Sequence, residues 1–304
     1  MRWRRLGRVW APDGSLPWAR SHAMLPTPLP LGDGRLRLYL ACCDAGTVSR
    51  IGWVDVKADD PSRVLGWARE PVLDIGEAGC FDDNGVNPCS IVALPGGRLR
   101  LYYVGYQRPG KVPYTLFTGV AEADGPDGPF VRVQDVPVLD RGPGERFFRT
   151  AALVRPAPGG WEALYVGGGQ FAEAAGRLQP RYGIRRAFSA DGLAWPARGE
   201  AVLEPAPGEI GFGRPWVMPR AGQADVLWYS ARGPRGYRIG HAVREGTGWA
   251  RRDDAEGLDG AAEDWDGGMQ CYAATQDING QVVMFYNGDG YGRTGLGAAV
   301  LEQG

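Results

Sequence analysis

The chain has 304 residues, 44% of them hydrophobic, enough to bury a large core, and its 34 basic and 35 acidic residues leave a net charge of −1 with no long run of either sign. That balance gives no support to nucleic-acid or membrane-surface binding. Forty-eight Gly and 24 Pro, without collagen period or low complexity, imply many short turns and so an all-β protein.

Residues 1–14 carry arginines but no apolar stretch of signal-peptide length follows, and no run of about 18 apolar residues occurs that could make a membrane helix. A cytoplasmic location is therefore expected. The first recurrent unit opens at Ser21-His22-Ala23-Met24, continues through Leu38-Tyr39-Leu40 and returns through Ile51-Gly52-Trp53. The second runs from residues 87–92 through Leu101-Tyr102-Tyr103 to Thr118-Gly119-Val120-Ala121. The third uses residues 149–154, Leu164-Tyr165-Val166 and residues 184–187, after which Asp191-Gly192 predicts a tight turn into an outer strand that Trp195 closes. The fourth comprises residues 214–218, Leu227-Trp228-Tyr229 and residues 239–242, and the fifth residues 269–272, Met284-Phe285-Tyr286 and residues 296–299. The aromatic runs recur every 63 residues three times and then after 57. A fixed period of this kind predicts a repeat architecture, a five-bladed β-propeller with about four strands per blade, as a single domain over residues 1–304.

In a propeller the first strand of each blade lines the central channel, so the starts of these units converge on one pocket. Glycosidic bond chemistry needs two carboxylates, one as acid and one as base or nucleophile. Asp83, Glu209 and Glu145 are the catalytic candidates from a pool that also holds Asp82 and Asp266. The alternative is structural: residues 82–85 form a turn, and Glu209 pairs with Arg214. Arg149, Arg181, Arg214 and Arg238 would hold an anionic group through guanidinium forks, or else bridge blades. Asn87, Tyr237, Asn287 and Tyr291 complete the binding set, with Asp82 and Asp266 placed there too. His22, at the start of the first inner strand, is a candidate general base or a structural histidine; His241 receives no role.

The five cysteines, Cys42, Cys43, Cys80, Cys89 and Cys271, lack both disulfide-scaffold density and a CxxC pair and read as free thiols. No His/Cys cluster has metal spacing, and Gly288-Asp289-Gly290 follows a strand rather than opening a helix, so neither a metal nor a nucleotide cofactor is expected.

Several segments together resemble the five-bladed propeller superfamily of glycoside hydrolase families 43, 32, 68 and 130, in a bacterial branch labelled only as hydrolases. They are Ser21-His22-Ala23, residues 81–88, residues 187–192, residues 214–217, Trp228-Tyr229-Ser230, residues 237–240, Trp265-Asp266 and residues 286–292, covering nearly the whole chain. The resemblance implies a carbohydrate-active, glycoside hydrolase-like enzyme, and the arginines of the funnel predict that its small, carbohydrate-like ligand is anionic. Two departures limit it. Family 43 enzymes place an aspartate base on the first blade, where this chain has Ser21-His22, so their catalytic trio does not carry over. The branch reads Trp-Asp-Ser-Glu-Met, where this chain has Trp265-Asp266-Gly267-Gly268-Met269. The alternatives are a non-catalytic sugar-binding propeller, or a biosynthetic enzyme performing elimination, isomerisation or cyclisation with His22 as base.

Overall fold

A computed structural model describes residues 1–174, 176–253, 258 and 264–302. Each aromatic run forms the second strand of an antiparallel four-stranded meander, because alternating large side chains let both faces of that strand be buried between neighbours. The strand β1 (Arg2–Trp10) comes first in the chain but pairs with the last described strand. The first meander is β2 (Ser21–Pro30), β3 (Arg35–Cys43), β4 (Ser49–Lys57) and β5 (Asp60–Trp67). The second is β6 (Val86–Ala93), β7 (Leu99–Gln107), β8 (Thr115–Ala123) and β9 (Val131–Arg132). The third is β10 (Phe148–Ala157), β11 (Gly160–Ala174), β12 (Arg177–Ser189) and β13 (Glu200–Leu203). The fourth is β14 (Gly211–Met218), β15 (Val226–Gly233), β16 (Gly236–Glu245) and β17 (Gly248–Arg251). The last is β18 (Cys271–Ile278), β19 (Gln281–Asn287) and β20 (Leu296–Glu302), completed by β1, with Trp3 opposite Leu301 and Arg5 opposite Ala299.

The inner strands start at Ser21, Val86, Phe148, Gly211 and Cys271, each within three residues of the start that the sequence repeat predicts. The outer strand of the third meander does not. Trp195 lies in the turn after Asp191, whose carboxylate accepts the Leu193 and Ala194 amides, and the outer strand forms only at Glu200.

The core lies between meanders. Tyr39 and Ile51 pack with Leu101, Tyr103 and Phe117; Tyr102 and Val120 pack with Ala152, Val154 and Tyr165. Leu153, Leu164 and Ile184 join Phe212 and Trp228, which join Trp3, Met284 and Tyr286. Val9, Phe285 and Ala298 then pack with Leu36, Leu38 and Val54, so the last meander meets the first. The arrangement is that of a propeller, with each inner strand facing the common axis. Among the described residues no helix is long and apolar enough to cross a membrane.

Candidate functional site: an axial cavity

Each inner strand breaks register with its neighbour shortly after its start, between Ser21 and Thr27, Pro88 and Ser90, Thr150 and Leu153, Gly213 and Trp216, and Cys271 and Ala274. Such bulges re-aim side chains, here toward the axis. They open a cavity of about 460 Å³, within the range of small-ligand sites. Among the described residues, eight non-glycine residues adopt positive φ, and seven of them line this cavity: His22, Leu25, Thr47, Ala151, Arg214, Tyr272 and Tyr291. Each such residue costs on the order of 1–3 kcal/mol, and strain of this kind clusters at functional sites in proteins, which makes the cavity the candidate site.

The wall is an arc of aromatic rings. Tyr106 stacks on Tyr114 at 5.5 Å, Tyr114 meets Phe148 edge-on at 5.7 Å, and Phe148 lies 5.5 Å from Tyr182. The Tyr182 and Tyr237 hydroxyls are 2.6 Å apart, and Tyr237 lies against Tyr272 and Tyr291. Gly213 permits this closure, since a Cβ there would come within 2.9 Å of the Tyr272 ring. Burial pushes the Tyr114 phenol up to about 12 and holds those of Tyr237 and Tyr272 well above their usual 10, so all three are protonated at neutral pH. Besides the tyrosines and arginines, the polar lining comes from His22, Thr47, Ser49, Asn84, Asn87 and Thr150; Asn87 Oδ1 and Thr150 Oγ1 are buried without a partner.

Arg214 reaches across the axis and is 1% exposed. It donates to neutral acceptors only: the Tyr272 carbonyl at 3.2 Å, Thr27 Oγ1 at 2.8 Å and the Cys89 carbonyl at 3.5 Å, from three other meanders. Its Nε is buried without a partner, and burial pulls the guanidinium down to about 9. Arg232 and Arg108 also line the cavity. Among the described lining residues there is neither Asp nor Glu. His22 shares a 2.9 Å hydrogen bond between Nδ1 and Ser21 Oγ, and burial, then the charge of Arg293, holds its pKa below the ordinary 6.5.

Of the residues selected from sequence, His22, Asn87, Arg214, Tyr237 and Tyr291 line the cavity. The carboxylates stand elsewhere, and most join a recurrent tyrosine–carboxylate–arginine clasp. Asp82 accepts Tyr103 OH at 2.9 Å and Arg132 Nε at 2.8 Å. Glu145 accepts Tyr165 OH at 2.7 Å and pairs with Arg149 at 2.8 Å. Asp266 accepts Tyr286 OH at 3.1 Å and pairs with Arg5. In the fourth meander Tyr229 donates to Asp253, whose partner Arg251 also holds Glu209 through two bonds of 2.7 and 2.8 Å. Burial alone would raise the Glu209 pKa, but Arg251 and the Ala206 amide outweigh it and hold the group below its usual range. Glu209 therefore pairs with Arg251 rather than Arg214.

Asp83 accepts the Gly79 amide at 2.9 Å in the turn before β6, consistent with the structural reading of that turn. Arg149 is spent on Glu145 and on the Asp140 and Pro196 carbonyls; Arg181 is exposed on β12; Arg238 is exposed and donates to the Gly268 carbonyl at 2.6 Å. Asn287 is buried and ties β19 to β2 by accepting the Leu25 amide at 2.9 Å and donating to the Ala23 carbonyl. At Gly268, where the resemblance predicts a carboxylate, a Cβ would meet the Asp289 carboxylate at 3.1 Å, and Asp289 accepts the Gly268 and Met269 amides. The five cysteines are free thiols. Among the described residues no group of three or more His, Cys, Asp or Glu could hold a metal ion.

Sequence reasoning passed over Tyr106, Tyr114, Phe148, Thr150 and Tyr272. A signal existed: Tyr106 and Tyr114 flank the hairpin between second and third strands, as Arg232 and Tyr237 do two repeats later.

No family model matches the chain. It is 36% identical over 304 residues to the uncharacterized protein Rv1502 of Mycobacterium tuberculosis (strain ATCC 25618 / H37Rv), covering 99% of this chain and 100% of that one. The uncharacterized protein MT1551 of strain CDC 1551 / Oshkosh matches with the same identity and coverage. Among solved structures, BT0996 in an RGII complex superposes with a TM-score of 0.71 at 17% identity, over 99% of this chain and 93% of that one. A glycosyl hydrolase from Bacteroides ovatus gives 0.71 at 14% identity over the same shares. A structure from the GH130 family of mannoside phosphorylases, which contains hydrolases that target β-1,2 mannosidic linkages in Candida mannan, gives 0.70 at 14%, again over 99% and 93%. The chain has the fold of the propeller glycoside hydrolases and belongs to the same family as Rv1502 of Mycobacterium tuberculosis.

Proposed function

We propose that the chain is one five-bladed propeller, its meanders the blades, whose axial cavity binds a small carbohydrate-like acid with the anionic group on Arg214. The observation that carries this is a guanidinium buried at the cavity floor, with neutral partners only and a free Nε. Removing such a charge from water costs several kcal/mol, and an anion in the cavity would offset that cost. The aromatic arc offers ring faces to a sugar, and Asn87 Oδ1 and Thr150 Oγ1 offer hydrogen bonds to its hydroxyls. Paired-carboxylate hydrolysis is not part of this reading, because the cavity lining holds no carboxylate among the described residues.

The test is thermal unfolding with glucuronate, galacturonate, glucose 6-phosphate and neutral glucose. A bound acid at about 100 times its Kd adds roughly 2.7 kcal/mol of stability. The acids should raise Tm, glucose should not, and Arg214→Gln should abolish the rise. An equal response to glucose, or no response to any acid, overturns the reading.

A further inference from the structure

We infer that His22 is the proton acceptor for a carbon acid: it removes the hydrogen next to the carboxylate of a sugar acid held on Arg214, and so drives β-elimination. The inference rests on the acid-binding reading above and adds a reaction to it.

The cavity combines the three groups such a reaction needs. His22 lines it at φ 64°, a strained left-handed conformation, and Ser21 Oγ engages Nδ1. In the tautomer whose Nδ1 donates to Ser21 Oγ, the one this inference requires, Nε2 keeps its lone pair for the substrate. Among the described residues, the charged groups that line the cavity or reach His22 are Arg108, Arg214, Arg232 and Arg293, all cationic, and burial, then the charge of Arg293, favours the neutral imidazole. Burial holds the neighbouring Cys43 thiol at about 12, so it adds no negative charge. Arg214 supplies the second group, a cation at the carboxylate where charge develops as the proton leaves. Tyr272 supplies the third: its phenol is protonated, its own carbonyl binds Arg214, and its hydroxyl makes no hydrogen bond among the described residues.

The step balances without an oxidant or reductant. The proton on the carbon adjoining the carboxylate passes to His22 Nε2, and the electron pair forms a double bond to the next carbon. The oxygen substituent there leaves with its bonding pair and takes the Tyr272 phenolic proton as an alcohol. The proton on His22 then returns to the phenolate through solvent. The products are an unsaturated sugar acid and an alcohol.

The experiment follows glucuronate and galacturonate in D₂O by NMR for exchange of that hydrogen, and a 4-O-linked digalacturonate for the ultraviolet absorbance of an unsaturated acid. Binding is measured in parallel by calorimetry. His22→Asn is the informative variant, since Asn tolerates positive φ. It should bind within a few-fold of wild type and lose exchange by roughly 10²–10⁴-fold, the usual contribution of a general base. Tyr272→Phe should retain exchange and lose the alcohol product. Wild-type binding with neither exchange nor elimination overturns this inference and leaves the binding reading standing. Undiminished exchange in His22→Asn overturns it too, and absence of binding to any acid overturns both.

Discussion

The clasps and the axis use the same residue types to opposite ends. In the clasps, Arg5, Arg132, Arg149 and Arg251 each meet a carboxylate that also accepts a tyrosine hydroxyl, and three of these arginines come from outermost strands. At the axis, Arg214 is more deeply buried than most of them, yet it meets carbonyls and a threonine. A closed set of charges holds strands together. An open one fits the acid ligand proposed for the axis.

The largest expected effect tests the closed set. Glu145→Ala leaves Arg149, 2% exposed, without its counter-charge, and should cost about 3–5 kcal/mol in denaturant unfolding. Ligand-induced stabilisation of the protein that remains folded should persist. Arg214→Met should do the reverse. Its apo stability should stay within about 1 kcal/mol of wild type, because the lost desolvation cost offsets three neutral hydrogen bonds, while the response to acids disappears. If Arg214→Met destabilised as much as Glu145→Ala, the axis would be one more clasp.

Glu209→Gln should cost under about 1 kcal/mol, since Arg251 keeps Asp253 and the pair is partly open to solvent. The smallest effect is a slope. The folded pKa of His22 lies below the ordinary 6.5, so the unfolded chain binds more protons, and the stability from neutral His22 is complete above that value. It is lost as pH falls through the folded pKa. His22→Asn should therefore flatten the acid limb of a stability–pH curve.

The difference between the two regions also explains what the sequence could reveal. The 63-residue period of the aromatic runs is local and repeated, so all five inner strands were legible. Strand β1 was not, because its partner is β20, at the far end of the described chain. The carboxylates before β6, β10 and β18 recur as a site would, and only distant partners reveal what they do, since Arg132 is 50 residues from Asp82 and Arg5 is 261 from Asp266. Arg214 could be selected by its place at an inner strand, but its lack of a counter-charge is a property of space. Tyr272 was visible beside Cys271, yet its left-handed φ gives no sign in the residue type.

The pairing of β1 with β20 carries a kinetic consequence. Until it docks, β20 is an open edge with unpaired backbone groups, able to accept any strand, including the β1 of another molecule. Closing that edge joins segments separated by nearly the whole described chain, a contact of high sequence separation that slows folding. The ring is thus sealed by its most expensive loop, and refolding at high protein concentration should divide between self-closure and exchange of the first strand between copies.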